Sequence, residues 1–423
     1  MANDRENGLV DVKIPAGWTL TGLVAGLLLG MLLHGRSGFE IVEEIAAPVG
    51  RIWLNALQMT IIPLVAALLV LGISQMAQAA SAGRTARRTI GWIFVILVLG
   101  GISTCLFMPL LLEAFPIPAG AAGFLMTGEP VAAGEVPGIA AFVTSLVAPN
   151  IVAAAAETAM LPLTIFFALF AVAIVRLPKG QRDTLLGFFR ALGNAMLVII
   201  GWVLATAPVG VFALAIGVAA VGGGGAFATL AHYILTVAAM GGIVLIGGYV
   251  VGILGGRIGP LAFARALLPA QAVALSTQSS LASLPAMLVS ARRMGVHEST
   301  ADFVLPLSVA IFRATSPAMN LAVAIYVAHL AGVSLGPVAL ATGVLVAFII
   351  SVGSVSLPGS ISFVISVGPI AIAMGVPVEP LALLVAVEML PDIMRTIANV
   401  TMDVAVTTAV DRGRDLREEP VQP

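Results

Sequence analysis

An all-α integral membrane protein is the fold class this sequence predicts, and three observations predict it. Of 423 residues, 60% are hydrophobic and only 10% charged, with a mean hydropathy of +1.10. A soluble domain carries roughly 25% charged residues to cover its surface, so most of this exterior faces hydrocarbon. The apolar residues come in long runs separated by short polar or arginine-bearing stretches. Two of the runs are broken by serine-rich turns, the pattern of helices that dip into a bilayer and return. The expected architecture is eight transmembrane helices plus two re-entrant helical hairpins arranged as inverted repeats.

The runs fall at about 16–33, 46–75, 89–112, 139–175, 192–220 and 226–254. A broken pair near 260–292 follows, then a run at 299–330, a second broken pair near 337–375 and a last run at 381–410. A span needs about 20 apolar residues, so the longer runs are expected to tilt or bend. The first run, Trp18 to Leu33, follows a leader that mixes Asp4, Glu6 and Asp11 with Arg5 and Lys13. It ends without a small-x-small cleavage site, so it is expected to be a retained span and not a signal peptide.

Arginine and lysine orient the spans. Arg84, Arg87 and Arg88 follow the second span, Arg176, Lys179 and Arg182 the fourth, and Arg257 and Arg265 the sixth. Arg292 and Arg293 follow the first broken pair, and Arg412, Arg414 and Arg417 the last span. Segments 114–138, 221–225 and 331–337 hold no Lys or Arg. The alternation works only if each broken pair enters and leaves on one side, the first from the cytoplasm and the second from outside. Both termini are then cytoplasmic, in a multi-pass plasma-membrane protein (a bacterial inner membrane is the expected setting). The chain divides into spans 1–2 (1–75), span 3 with an outer loop (76–138), spans 4–6 (139–255), a core of hairpins and their following spans (256–410) and a tail (411–423).

The two hairpins repeat one idea. The first turns through Ser276 to Pro285, the second through Ser351 to Ser360. Non-helical backbone at membrane depth is tolerated only where it lines a cavity or is buried in protein. Hydroxyls and free amides at such tips bind carboxylates or coordinate cations. Each hairpin precedes a span with an expected polar break: Leu305-Pro306 with Arg313 to Pro317, and Leu390-Pro391 with Asp392 to Asp403.

The last span carries the densest chemistry. At 100° per residue, Glu388, Asp392, Thr396, Asn399 and Asp403 fall on one stripe, with Arg395 on its flank. A charge at the bilayer centre costs about 2.5–3.5 kcal/mol, so the four charged members would cost roughly 10–14 kcal/mol against lipid. Such a stripe must face protein, water or a polar ligand. Glu388, one turn before Asp392, is a candidate proton carrier or a structural hydrogen-bonded carboxylate. His232 and His329, isolated among apolar residues, are expected to pack and not to bind metal, and Glu157 to face the interior or a crevice. Gly222 to Gly225 is a loop and no phosphate cradle, because no strand precedes it. Cys105, the single cysteine, excludes a disulfide framework, and no basic block suggests nucleic acid.

With Met59-Thr60-Ile61-Ile62-Pro63, Ala148-Pro149-Asn150, Leu161 to Phe167, Ser279-Ser280 through Leu284-Pro285 and Leu357-Pro358-Gly359, the chain resembles the dicarboxylate/amino acid:cation symporters, the glutamate transporter family. Asp392 to Asp403 is the most specific match, close to the family's Asp-x-x-Arg-Thr-x-x-Asn-Val-Thr-x-Asp. The resemblance implies a homotrimer whose scaffold spans hold the subunits while a mobile core carries solute across as an elevator. It implies that Arg395 grips the solute's distal carboxylate, Asp392 its amine, and Thr396 and Asn399 its other polar groups. The backbone around Ser279 and Ser280 would hold the second carboxylate, Thr315 and Ser316 would line the site, and the Val355–Gly359 tip would close as a gate. The planar fork of Arg395 suits a carboxylate on physical grounds as well.

The chain departs from that family at its cation sites. Where the family has Asn-Met-Asp-Gly-Thr, this sequence has Phe312-Arg313-Ala314-Thr315-Ser316, and Ile96 and Leu97 align with a Thr-Ser pair. Hard cations need oxygen ligands, and these replacements offer none, so at least one sodium site is expected to be absent. A residual one, at Asn399 and Asp403, is damaged. Arg313 stands where the cations would be. It is expected to act as a tethered substitute neutralising Asp403 or Asp392, with a purely structural ion pair and direct contact to a doubly anionic solute as the alternatives. The solute is then a small carboxylate such as an acidic amino acid or a C4-type dicarboxylate, no enzymatic cofactor is implied, and sodium or a proton remains as the coupling ion. An anion-conducting channel, or a uniporter or exchanger of the same fold, is the competing function; a channel would show rings of like charge or a repeated filter motif. An intramembrane enzyme is disfavoured, since no Ser-His pair, His-Glu-x-x-His or paired catalytic Asp motif occurs.

Overall fold

The computed structural model describes residues 15–33, 39–81, 83–118, 143–222, 225–353 and 359–413. Most of the outer loop, the tail from 414 and the gate tip 354–358 with Val355 lie outside the described residues. Everything described is helix or connection, with no strand among the described residues. Helices α1 (Ala16–Leu33), α2 (Phe39–Gln58), α3 (Ile61–Ala80) and α4 (Arg84–Ala114) come first. Then follow α5 (Ile151–Ala156), α6 (Met160–Val175), α7 (Lys179–Ala205), α8 (Ala207–Gly222) and α9 (Gly225–Val250), which ends in a wider π turn over Val251–Gly255. The core is α10 (Pro260–Thr277), α11 (Ser280–Arg293), α12 (Glu298–Ile311), α13 (Thr315–Leu330), α14 (Pro337–Gly353), α15 (Gly359–Ala373), α16 (Leu381–Leu384) and α17 (Met389–Arg412).

Five segments are long and apolar enough to cross a membrane: Ile41–Ala80, Arg84–Ala114, Lys179–Ala205, Gly225–Gly255 and Glu298–Leu330. That is fewer than eight among the described residues, because prolines and turns divide other runs into shorter apolar helices such as Met160–Val175, Ala207–Ala220 and Pro337–Val352. The second run breaks at Met59-Thr60, one turn ahead of Pro63, whose ring excludes the carbonyl four residues back. The run expected at 192–220 becomes two helices parted at Thr206, just before Pro208, and its first helix begins earlier, at Lys179. The outward face of α4 carries Val95, Leu99, Ile102, Leu106 and Leu110, each more than half exposed. A 3.6-residue stripe of large apolar side chains turned outward is the mark of a helix solvated by lipid.

One seam was not anticipated. Gly22, Gly26 and Gly30 line one face of α1 where it lies on α8, so close that an added Cβ at Gly26 would sit 2.5 Å from the Phe212 carbonyl oxygen and 2.8 Å from Ala215 Cβ. Gly22 and Gly30 meet the carbonyls of Pro208 and Ile216 in the same way. Without a hydrophobic drive between helices in lipid, such close backbone contact is what holds two of them together.

The first broken pair is a helical hairpin: α10 and α11 pack against each other and reverse through Gln278, left-handed at φ 50°. The second pair, α14 and α15, also packs together, and Gly359 opens α15. The span after hairpin one breaks where expected, at Phe312-Arg313-Ala314, although α12 runs through Pro306. The last span is interrupted in polarity and not in backbone: α17 is continuous through Asp392 to Asp403, with Pro391 in its first turn. Only His329 of α13 is exposed; its other residues are buried, enclosed by α4, α9, α14, α15 and α17.

Gly26→Val is expected to force α1 off α8 and to destabilise the protein by about 1–3 kcal/mol, seen as a lowered thermal unfolding temperature in detergent. An unchanged transition would show that the seam carries no packing energy.

Candidate functional site: a buried charged centre

The stripe on α17 turns inward. Relative exposure is 0% for Glu388, 8% for Asp392, 5% for Arg395 and Thr396, 2% for Asn399 and 1% for Asp403. Because α17 is unbroken, the 3.6-residue period turns Asp392 to Asp403 inward, and Glu388, at its N-cap, joins them through Arg395.

Arg395 is engaged along its whole fork. Its Nη2 donates to Glu388 Oε1 at 2.5 Å and its Nη1 to Asn320 Oδ1 at 2.9 Å, while Nε stands 3.1 Å from Asp392 Oδ1. Tyr233 of α9 donates to the other Glu388 oxygen at 3.2 Å. Asn320 in turn donates to the Ser316 hydroxyl at 3.0 Å, which also accepts from Ser351 of α14 at 2.9 Å. One network thus ties α9, α13, α14 and α17 together. A guanidinium with three oxygen partners in a buried setting is fixed in direction as well as charge.

The helix break supplies a second cluster. Thr315 donates to Asn399 Oδ1 twice, from its backbone N–H at 2.9 Å and from its hydroxyl at 3.0 Å. The free end of α13 is thereby capped by the neighbouring helix instead of by its own chain. Asp403 is different: neither carboxylate oxygen has a hydrogen-bond partner among the described residues. Its counter-charge is Arg313, which interacts electrostatically with both Asp403 and Asp392. Three carboxylates (Glu388, Asp392, Asp403) therefore share two guanidiniums (Arg395, Arg313).

Other candidates play smaller parts in this conformation. Thr396 bonds back to the Asp392 carbonyl, and the Ser279 hydroxyl caps α11 by accepting from Ala282 N–H at 3.2 Å. Ser280 begins α11 partly exposed. His232 bonds Tyr326 and the Phe115 carbonyl, His329 is exposed, and no group of three metal-binding side chains occurs among the described residues. Glu157, expected to face the interior or a crevice, is exposed and ends the short helix α5, which excludes the interior.

Ile96, Leu97, Phe312 and Ala314 are buried together in one apolar cluster with Ala318, Ala398 and Met402. The four residues expected, by resemblance, to stand where cation ligands would be therefore converge as hydrocarbon. Two participants escaped the sequence analysis, Asn320 and Tyr233. Asn320 had a signal, as a lone carboxamide one turn after Ser316; Tyr233 had little beyond being one of three tyrosines.

Fold and site define a multi-pass membrane protein organised around an internal charged centre. The chain belongs to the Sodium:dicarboxylate symporter family, whose profile matches residues 16–413. It is 30% identical to the proton/glutamate-aspartate symporter of Escherichia coli K12, across 92% of this chain and 91% of that one. It is 26% identical to the proton/sodium-glutamate symport protein of Bacillus subtilis, across 90% and 88%. Identity to the neutral amino acid transporter B(0) of Bos taurus is 28%, across 91% and 77%. Family and relatives are transporters and not enzymes, and the protein is a secondary transporter of small solutes.

Asn320→Leu leaves one Arg395 donor and the Ser316 hydroxyl short of a partner, and is expected to cost about 1–3 kcal/mol. Thermal unfolding of the purified variant checks this; a shift no larger than that of a lipid-facing substitution on α4 would remove Asn320 from the network.

Proposed function

We propose that the protein carries a small anionic solute, an acidic amino acid or a C4-type dicarboxylate, by elevator movement of the 256–410 core against scaffold spans in a plasma-membrane homotrimer. The relatives' glutamate and aspartate substrates support the solute class. Arg395 is the proposed carboxylate ligand, with Asp392, Thr396, Asn399, Thr315, Ser316 and the Ser279–Ser280 turn completing the site and the tip from Val355 to Gly359 closing it.

The coupling ion is proposed to be a proton and not sodium, and the observation that carries this is the apolar cluster of Ile96, Leu97, Phe312 and Ala314. Hydrocarbon cannot replace the oxygen shell of a hard cation. The residual site also lacks capacity, since Asn399 Oδ1 already accepts two bonds from Thr315. Arg313 is proposed as the tethered cation that neutralises Asp403 and Asp392 throughout the cycle. A charge fixed to the chain cannot dissociate, so it transmits no sodium gradient. With three carboxylates facing two guanidiniums, one added proton brings the centre to neutrality, and Glu388 is the proposed carrier. It faces Arg395 and Asp392 on its own helix side and Tyr233 from α9. A proton there frees one arm of the Arg395 fork for a solute carboxylate. The proton-coupled relative in Escherichia coli is consistent with this choice.

The test is uptake into proteoliposomes with proton and sodium gradients imposed separately, across acidic amino acids and dicarboxylates. Concentrative uptake on an inward proton gradient, with little sodium response, is expected. Glu388→Gln should abolish proton-driven accumulation yet preserve solute counterflow; persistent proton-driven accumulation would exclude Glu388. Arg313→Met should weaken solute binding about tenfold or more, the scale of one unpaired buried carboxylate, with partial rescue by sodium. Unchanged binding with no new sodium response would sink the tethered-cation role.

A further inference from the structure

A second polar feature lies apart from the charged centre, in a cavity of about 260 Å³ between α3 and α7. On α3, Leu71, Ser74, Gln75 and Gln78 follow the i, i+3, i+4, i+7 spacing of one helix face, and on α7 Arg182, Leu186 and Arg190 are spaced by four and look back at them. Leu71, with Phe189, belongs to the apolar cluster that binds α3, α6 and α7, and Leu186 packs against it, so the cavity has a hydrocarbon floor. What stands on that floor is rich in donors: two guanidiniums, two carboxamides and a hydroxyl.

Their partners are too few. Asp183, the one carboxylate in the lining, sits 3.5 Å from Arg182 and is more than half exposed. Arg190 has no carboxylate partner among the described residues. Ser74 is 1% exposed and its hydroxyl has no hydrogen-bond partner among the described residues. A buried polar atom without a partner calls for an explanation, and here it borders a cavity that is donor-rich and carries excess positive charge. Several convergent donors on a planar fork, a hydroxyl and amides match a tetrahedral oxyanion. Exposed Arg176 and Lys179 sit at the same end of α7, making four basic residues within fifteen positions, the composition that draws anionic headgroups to a membrane face.

We infer that this cavity binds a phosphate group, carried by an anionic lipid headgroup or by a soluble phosphate. No residue of the lining takes part in the charged centre, so loss of this site and failure of the transport assignment are separable. Native mass spectrometry of the detergent-purified protein, titrated with phosphatidylglycerol, phosphatidylcholine or inorganic phosphate, tests it. Phosphatidylglycerol is expected to be retained under activation that strips phosphatidylcholine. Arg182→Gln with Arg190→Gln should lower that retention roughly tenfold, and Ser74→Ala a few-fold. Displacement of the lipid by inorganic phosphate would assign the site to the phosphate group from either source; resistance to displacement would assign it to the lipid headgroup. Stable solute binding in the variants certifies their fold, and Ser74→Ala carries the test if the double variant does not fold. Equal phosphatidylglycerol retention in parent and variants overturns the inference. So does a double variant that loses its subunit assembly while keeping the lipid, for then the arginines serve a neighbouring copy.

Discussion

Charge that has left water must be balanced by opposite charge nearby, and this single constraint organises the core of the protein. Several unpaired ions in hydrocarbon would together cost as much as the whole stability of a domain, whereas paired and hydrogen-bonded ions approach break-even. Five ionisable side chains are linked here, Glu388, Asp392 and Arg395 by contact and Arg313 with Asp392 and Asp403 through their charges, and several local irregularities serve them. The break at Phe312-Arg313-Ala314 places a guanidinium whose charge acts on Asp403 and Asp392 and turns the start of α13 toward Asn399. Tyr233, Asn320 and Ser316 complete the lone pairs and donors that the ion pairs leave over. A continuous helix through 298–330 would give up both the exposed amide of Thr315 and the placement of Arg313.

The same constraint explains why α13 is so thoroughly enclosed. A broken helix inside a membrane exposes backbone groups that lipid cannot satisfy. Surrounding α13 with five helices removes the lipid, and small residues make the enclosure tight. Gly241 and Gly248 of α9 lie against Met394 and Thr401 of α17, so close that a Cβ at Gly248 would stand 3.0 Å from the Thr401 methyl. The apolar cluster of Ile96, Leu97, Phe312 and Ala314 fills the remaining space on the other side of the break. Apolar packing and ionic balance are therefore complementary halves of one solution, hydrocarbon on one side of the break and charge on the other.

What the sequence made legible was whatever depends on local period. Glu388, Asp392, Thr396, Asn399 and Asp403 were placed on one stripe from angular spacing alone, with Arg395 on its flank, and all six are buried. The hairpin turn at Gln278-Ser279 and the break before Thr315 were legible from serine and proline. The membrane class followed from the shortage of charge. Partners across helices were not legible: Asn320 and Tyr233 stand 75 and 155 residues from the groups they bond, and no period connects them. Helix ends were also misjudged. Pro306 was read as part of a break but is absorbed within α12, whereas the polar residues from Asp392 to Asp403 interrupt the apolar span in composition only and leave α17 continuous. The seam of Gly22, Gly26 and Gly30 was overlooked for a different reason: glycine among leucines looks apolar until the opposing backbone is known.

The saturation of Arg395 bears on the thermodynamics of the proposed transport. A solute carboxylate arriving at a bare buried guanidinium would gain a full charge-assisted pair and dissociate slowly, which suits storage better than transport. Here Glu388 and Asp392 already occupy the fork, so binding exchanges one carboxylate partner for another and the net gain is the difference between two similar interactions. A carrier needs that moderation, since it must release on the far side what it captured on the near side. Exchange also gives specificity a direction. Neutral solutes have nothing to offer Arg395 in return for Glu388, whereas an anion paired with a proton for Glu388 restores every contact that it disturbs.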